Sequence, residues 1–206
     1  FRCDIYTDVE GVFSADPNIV NNAKKIDKIS YEEMLEMSST GAKVLQTRSV
    51  ELAMKNNLTL QVLSSLTGKD GTLIVNEDKL IEKEVVSGVS YSKNESKITI
   101  SGVPDKPGIS ANIFGILSRN KINVDMIVQN ISQDGISANL TFTVQSKDME
   151  ISKNLLEKNR ENIQYKHIST DSEVSKISVI GMGMMSQSGV AQKMFQTLGN
   201  KKINIL

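Results

Sequence analysis

Apolar positions change their period several times along the chain, and each change marks a predicted element. A short apolar run ending near Tyr6 reads as a strand. From Thr7 to about Asp27 the period is lost, and Gly11, Asp16-Pro17 and Asn21-Asn22 mark a loop. Ser30-Tyr31-Glu32-Glu33 has the spacing of a capping box, which predicts a helix from Tyr31 to the Ser38-Ser39-Thr40-Gly41 cluster. A second helix is expected from about Lys43 to Asn56, with Leu45, Ser49, Leu52 and Ala53 on one face. Leu60 to Leu63 reads as a buried strand and Gly68-Lys69-Asp70-Gly71 as a surface turn. The charged stretch 76–84 reads as a linker.

After the linker the pattern shifts to strands and short helices. Val85 to Tyr91 and Lys97 to Ser101 flank the polar triplet Lys93-Asn94-Glu95, which predicts a hairpin. Pro107-Gly108 opens a helix, with Pro expected in the first turn and Ile109, Ile113, Ile116 and Leu117 as its apolar stripe. Val124 to Ile131 reads as a strand. Ile136, Ala138, Leu140, Phe142 and Val144 alternate with Ser137, Asn139, Thr141 and Thr143, as expected of a half-buried antiparallel strand. Asp148 to Lys158 is a predicted helix with Ile151, Leu155 and Leu156 inward, and Gln164 to Ile168 a final strand. From Lys97 the order is βαββαβ, the ferredoxin-like arrangement. The strand at Val85 is extra to it.

Part of this pattern occurs twice, about eighty residues apart, the signature of one small unit used again. Ser-Lys-Ile-Thr-Ile-Ser-Gly (96–102), Pro-Gly-Ile-Ser-Ala-Asn-Ile-Phe-Gly-Ile-Leu (107–117) and Asn-Lys-Ile-Asn-Val (120–124) form the first copy. Ser-Lys-Ile-Ser-Val-Ile-Gly (175–181), Ser-Gly-Val-Ala-Gln-Lys-Met-Phe-Gln-Thr-Leu (188–198) and Lys-Lys-Ile-Asn-Ile (201–205) form the second. Each reads as strand, glycine turn, amphipathic helix, short turn, strand. The second copy stops as its next strand begins, and Phe1 opens inside an apparent strand. Both ends are therefore expected to be truncated.

Composition narrows the functions open to such a chain. Its 206 residues suffice for two small domains. Net charge is zero, with 24 basic and 24 acidic side chains, so nucleic acid is not an expected partner. No apolar run is long enough for a membrane span, and no signal peptide opens the chain. A single cysteine, Cys3, rules out an internal disulfide and fits a reducing, cytoplasmic setting. Tryptophan is absent, so the cores must be aliphatic and Met-rich.

Two loops could carry chemistry. The first joins the strand-end pair Thr7-Asp8 to Phe13-Ser14-Ala15-Asp16-Pro17. Open α/β sheets bind ligands at such strand ends. On spacing alone, an ordinary Asx or Asp-Pro turn fits the same residues. The second is Asp105-Lys106-Pro107-Gly108-Ile109-Ser110, where a helix N-terminus offers free N–H groups and partial positive charge to an anion such as a carboxylate. A nearby Asp105 or Asp125 could take an ammonium group. A plain helix start with Asp125 and Gln129 facing solvent fits as well. His167, the only histidine, reads as a surface residue. Cys3 is expected to be buried and inert, and Met182-Gly183-Met184-Met185 to serve flexible packing. Nothing has metal-ligand spacing.

Longer motifs add a family resemblance. Cys3 to Pro17 (CDIYTDVEGVFSADP), Ile26 to Leu45 (IDKISYEEMLEMSSTGAKVL) and Ser64 to Ile74 (SSLTGKDGTLI) resemble the end of the catalytic domain of aspartate kinases, within the amino-acid kinase family. Gly102 to Gly108, Lys121 to Ser132 and the repeat resemble the regulatory ACT domains of those enzymes. The resemblance runs over essentially the whole chain in order. It implies the C-terminal part of an α/β kinase fold over 1–75, a linker at 76–84, a first ferredoxin-like ACT domain over 85–170 and an incomplete second one over 171–206.

The resemblance also implies function. The reaction would be ATP-dependent phosphorylation of the L-aspartate side chain, with Mg2+. Feedback would come from lysine, threonine or both. Catalytic residues are expected upstream of Phe1, so the fragment alone is expected to be inactive. Thr7, Asp8, Phe13, Ser14, Ala15, Asp16, Pro17, Asn18 and Lys43 would lie on the nucleotide side. Asn18 stands where the family usually has Arg, so a phosphate-directed charge is either absent or supplied by Lys24 or Lys25. Gln46-Thr47 replaces a common His-Pro pair. The effector would meet Asp105, Lys106, Pro107, Gly108, Ile109, Ser110, Asn123, Val124, Asp125 and Gln129 of the first copy. From the second copy it would meet Val190, Ala191, Asn204 and Ile205, in a pocket between ACT domains, across a subunit interface of a homo- or hetero-oligomer. A separate ACT-type regulatory subunit, or fusion to homoserine dehydrogenase, are the alternatives.

Overall fold

The computed structural model describes residues 1–80, 85–132, 135–185 and 187–205. The chain divides into two compact units: Phe1–Tyr91 with the segment from Ile177 onward, and Ser92–Lys176.

The first unit holds strands β1 (Arg2–Thr7) and β2 (Lys28–Ser30), helices α1 (Tyr31–Ser39) and α2 (Thr47–Lys55), and strands β3 (Thr59–Ser64) and β4 (Thr72–Val75). The sheet order is β1-β3-β4-β2, with β1 parallel to β3, β2 parallel to β4, and β3 antiparallel to β4. Helix α1 starts where the capping box predicts. The Ser30 side chain accepts from the Glu33 N–H at 3.1 Å, and the Glu33 carboxylate reaches back to the Ser30 N–H at 3.4 Å. Met34 and Met37 on its inner face join Val12, Ile29, Tyr31, Val50, Ala53, Leu60, Val62 and Ile74 in the core.

Helix α2 begins at Thr47, not near Lys43, and buries Val50 and Ala53, while Ser49 and Leu52 are exposed. Leu45 is buried, but in the bend before the helix. Cys3 is exposed rather than buried; it lies in β1, which among the described residues pairs with β3 on one side. In the expected linker, Glu77–Lys79 forms a 3-10 turn, and residues 81–84 lie outside the described residues.

The second unit is built on β5 (Gly88–Pro104), α3 (Ile109–Arg119), β6 (Val124–Ile131), β7 (Ser137–Gln145), α4 (Met149–Lys158), the short α5 (Arg160–Ile163) and β8 (His167–Ile180). The first residues of β5 and the last of β8 belong to the first unit. The sheet order β6-β7-β5-β8 is that of the ferredoxin-like fold. Ile98, Ile100, Ile113, Leu117, Leu140, Phe142 and Leu156 are its fully or almost fully buried centre.

The expected hairpin at Lys93-Asn94-Glu95 is not formed: β5 runs unbroken. The triplet has no Gly or Pro to reverse the chain, and its polar look comes from Lys93 and Asn94 facing solvent in extended backbone. The strands expected at 164–168 and 175–180 likewise merge into β8. Ile136 and Ile151 are exposed; Ile136 precedes β7, and α4 turns Ser152 and Leu156 inward instead.

The second copy folds like the first through its helix and the turn that follows, but the strand expected at its end is not formed, since residues 203–205 are irregular. After β8 comes a 3-10 turn, Met182–Met185, and then α6 (Val190–Asn200). Gly108 (φ 91°) and Gly189 (φ 100°) cap the two helices in the left-handed region. Lys121 (φ 57°) and Lys202 (φ 56°) leave them in the same conformation. The Ile122 N–H donates to the Leu117 carbonyl at 3.1 Å, and the Ile203 N–H to the Leu198 carbonyl at 3.0 Å. Pro107 sits before its helix rather than in the first turn.

Candidate nucleotide loop and effector turn

The loop after β1 is shaped by backbone bonds. The Ser14 N–H donates to the Lys24 carbonyl at 2.8 Å, the Lys24 N–H to Ser14 Oγ at 3.0 Å, and the Ile26 N–H to the Val12 carbonyl at 2.9 Å. Buried Thr72 anchors its base. The hydroxyl accepts from the Val12 N–H at 2.8 Å and donates to the Ile26 carbonyl at 2.6 Å. Gly11 (φ 145°) lies so close that a Cβ there would meet Thr72 Oγ1 at 2.6 Å.

The Asp16 carboxylate accepts from the Asn18 N–H at 2.9 Å and from the Asn18 side-chain amide at 3.1 Å, an Asx turn. Asn18 thus stabilises the turn internally, where an Arg would project charge. Lys25 donates to the Asp70 carbonyl, and Lys24 is exposed. Thr7 ties the strand end to its neighbour: its carbonyl accepts from the Ser65 N–H at 2.8 Å and from Ser65 Oγ at 3.0 Å, while Thr7 Oγ1 donates to Asp8 at 3.1 Å. Thr7, Phe13, Ser14, Ala15 and Asp16 are half-buried, and Asp8, Pro17 and Asn18 are exposed. Lys43 is exposed in the bend between α1 and α2.

In the second unit the turn Asp105–Gly108 is exposed, and a Cβ on Gly108 would meet nothing within 4 Å. The tip of α3 is therefore open within its unit. Ser110 Oγ donates to Gln129 Oε1 at 3.0 Å, drawing β6 to the helix start. A register shift in the β6–β7 pairing between Val124 and Ile127 spans Asp125 and Met126, and such bulges redirect side chains. Asp125 pairs with Lys176 of β8. Asp105, by contrast, is exposed and makes no side-chain bond among the described residues. Asn123 is exposed and Val124 half-buried. Ser110 and Gln129 thus meet at the start of α3, whereas Asn123, Val124 and Asp125 open β6 beside the other end of that helix, so the structure does not bring the expected effector residues of the first copy together at one point. In the first unit, a Cβ on Gly189 would also meet nothing within 4 Å. There Val190 is half-buried, and Ala191, Asn204 and Ile205 are exposed.

The sequence reading missed Lys176, which takes up the charge of Asp125, and Glu33 beyond its capping role. Besides its own cap, Glu33 accepts from Ser87 Oγ at 2.5 Å and from the Met182 N–H at 3.2 Å. The capping-box spacing revealed Glu33; nothing local pointed to partners so far along the chain.

The model of the amino acid kinase family matches residues 2–64, and that of the ACT domain matches residues 98–160 and 177–206. Fold and site together define a class: a stretch of the amino acid kinase family joined to ACT domains. An aspartate kinase of Pseudomonas fluorescens is 44% identical over 205 residues, 99% of this chain and 49% of that protein. Clostridium acetobutylicum aspartate kinase has the same fold, with a TM-score of 0.87 at 24% identity, over 98% of this chain and 46% of that one. E. coli aspartokinase III, solved with aspartate and ADP in an R-state, aligns with a TM-score of 0.80 at 26% identity, over 96% of this chain and 44% of that one. Its T-state structure with lysine and aspartate aligns with a TM-score of 0.76 at 27% identity, over 100% of this chain and 44% of that one. The chain belongs to the aspartate kinase family. It spans about half the length of the curated relatives it matches.

Proposed function

We propose that this chain works as part of an aspartate kinase in the cytoplasm, transferring the γ-phosphoryl group of ATP to the side-chain carboxylate of L-aspartate. The product is an acyl phosphate, from which lysine, threonine and methionine are built. The observation that carries this reading is the kinase-family segment, with its ordered loop at Phe13–Asn18, in one chain with two copies of a glycine-capped helix whose tips are open. The kinase segment at residues 2–64 favours this reading over a separate ACT regulatory subunit.

In this proposal Thr7, Asp8, the Phe13–Asn18 loop and Lys43 hold the nucleotide. Chemistry of this kind rests on positioning and on neutralising phosphate charge. Among the described residues no group of three or more His, Cys, Asp or Glu is arranged to hold a metal ion. In this proposal Mg2+ enters as the counter-ion of the ATP phosphates. The 206-residue chain by itself forms no aspartyl phosphate.

Regulation is by an amino acid at the helix tip. Its carboxylate meets the N–H groups of Gly108 and Ser110 at the helix start, and Asp105 takes its ammonium group. Asp105 suits that role better than Asp125, whose charge is already paired with Lys176. Lysine and threonine are the effectors proposed, and the lysine-bound T-state of E. coli aspartokinase III supports lysine. An effector inhibits only if it binds one arrangement of the protein better than the other. The test is trapping of aspartyl phosphate with hydroxylamine by the enzyme that carries this chain, with and without ATP. ATP-dependent hydroxamate is expected; its absence at saturating aspartate overturns the proposal.

A further inference from the structure

The segment Ser87–Ser90 makes four bonds in four residues, each to a different part of the first unit. The Ser87 N–H donates to the Ile180 carbonyl at 2.8 Å, at the end of β8. Ser87 Oγ donates to the Glu33 carboxylate on α1 at 2.5 Å. The Val89 N–H donates to the Ser14 carbonyl at 2.8 Å, in the candidate nucleotide loop. Ser90 Oγ lies 2.5 Å from Thr40 Oγ1, at the other end of α1. Glu33 is itself bonded to the Met182 N–H at 3.2 Å, in the turn that leads to α6. One short strand end and one carboxylate thus join the second copy's turn to the nucleotide loop.

The packing leaves little slack. A Cβ on Gly181 would meet the Val85 carbonyl oxygen at 2.3 Å and Val86 Cα at 2.7 Å. A Cβ on Gly88 would meet the Met37 methyl at 3.0 Å and the Ser14 carbonyl at 3.4 Å. Ile180 is fully buried among the kinase-segment core residues. Glu33 and Ser87 are 6% and 8% exposed, so their bond is little screened by solvent. These contacts and bonds offer a path by which a shift at Gly181–Met182 reaches Ser87 and Glu33, and through the Val89 bond Ser14.

We propose that Glu33 and Ser87–Ser90 form the coupling element of this protein. In it the Glu33 carboxylate and the Ser87 hydroxyl are positioning groups that carry the state of the Gly181–Met185 turn to the nucleotide loop. This rests on the assignment of that loop to ATP and on the expectation that Val190 and Ala191, at the α6 start, also meet the effector. It names which bonds transmit inhibition. The two-state element is the Ser87 hydroxyl, bonded to Glu33 in one arrangement and released in the other. When it is released, Val89 draws Ser14 out of register and ATP binds less well.

The test compares wild type, Ser87→Ala, Ser87→Thr and Glu33→Gln in the complete enzyme. Aspartyl phosphate formation is followed against ATP concentration at several concentrations of lysine and threonine, singly and together. Ser87→Ala is expected to raise the half-inhibiting effector concentration about fivefold or more, with kcat within about twofold of wild type. Ser87→Thr, which keeps the hydroxyl, is expected to restore wild-type inhibition. Glu33→Gln is expected to reproduce Ser87→Ala, and the double variant Glu33→Gln/Ser87→Ala to add little to either. A lowered melting temperature with unchanged inhibition and unchanged KM for ATP overturns the coupling role, because a merely structural bond behaves that way. A wild-type enzyme that makes aspartyl phosphate but is insensitive to both amino acids overturns the effector reading instead. One that makes no aspartyl phosphate overturns the kinase assignment.

Discussion

Tyr165 shows most directly how one side chain sets its own pH dependence. It is 5% exposed, sits in the core of the second unit under Arg160, and its hydroxyl makes no hydrogen bond among the described residues. Burial pushes its pKa up from the ordinary tyrosine value, helped by Glu157 and opposed by Arg160. Tyr31 is also raised by burial, but its hydroxyl donates to the Leu58 carbonyl at 2.7 Å. For a group raised in the folded state, the unfolded chain loses its proton first, near pH 10. Stability is thus full below that pH and falls as pH rises through the folded value. Tyr165→Phe is expected to leave urea stability unchanged or to raise it by up to about 1 kcal/mol, since it removes an unpartnered buried hydroxyl. It should also flatten the alkaline decline between about pH 9 and 11. Tyr31→Phe should cost about 1 kcal/mol at neutral pH by removing a made bond. Urea unfolding of the three proteins across that range checks all of this.

At the scale of elements, the repeat tests whether the two copies are built by the same local physics. Gly108 and Gly189 both hold positive φ with open space around them. Substitution there meets no clash and acts only through backbone strain. Gly108→Ala and Gly189→Ala are each expected to cost about 1 kcal/mol, with similar size in both copies. Denaturant midpoints would measure this, and a large cost in only one copy would break the equivalence. The same glycines explain why the repeat was legible in the sequence: left-handed caps demand glycine, and the following amphipathic turns keep their spacing. The capping box at Ser30–Glu33 and the alternation in β7 were legible for the same local reason. The unbroken β5 and β8 were not. Polar residues on the open face of a strand look like a turn when read one window at a time. The start of α2 was misplaced because Leu45 is buried from a bend, which imitates one more helical turn. Of the candidate sites, the loop Phe13–Asn18 and the tip Pro107–Ser110 stood out through Pro, Gly and Asp. The Asp125–Lys176 pair and the Glu33–Ser87–Met182 bonds are long-range, and no local spacing encodes them.

For the molecule as a whole, one chain joins a kinase-family segment to two glycine-capped helices in the ACT-matched part, and β5 and β8 each have residues in both compact units. Regulation then needs an amino acid to favour one arrangement over another. In the complete enzyme Asp105→Ala or Gln129→Ala is expected to weaken feedback inhibition about tenfold while sparing most of kcat, because neither residue belongs to the nucleotide side. Dose–response curves of aspartyl phosphate formation against lysine and threonine read this directly. The most direct measurement of the central claim is calorimetric titration of the intact protein with lysine and threonine, singly and together, in wild type and Asp105→Ala. The account predicts saturable heat of binding in wild type for at least one of the two, weakened about tenfold or more by the substitution, as expected for a lost charge-assisted bond. Binding of equal strength in both proteins would contradict it.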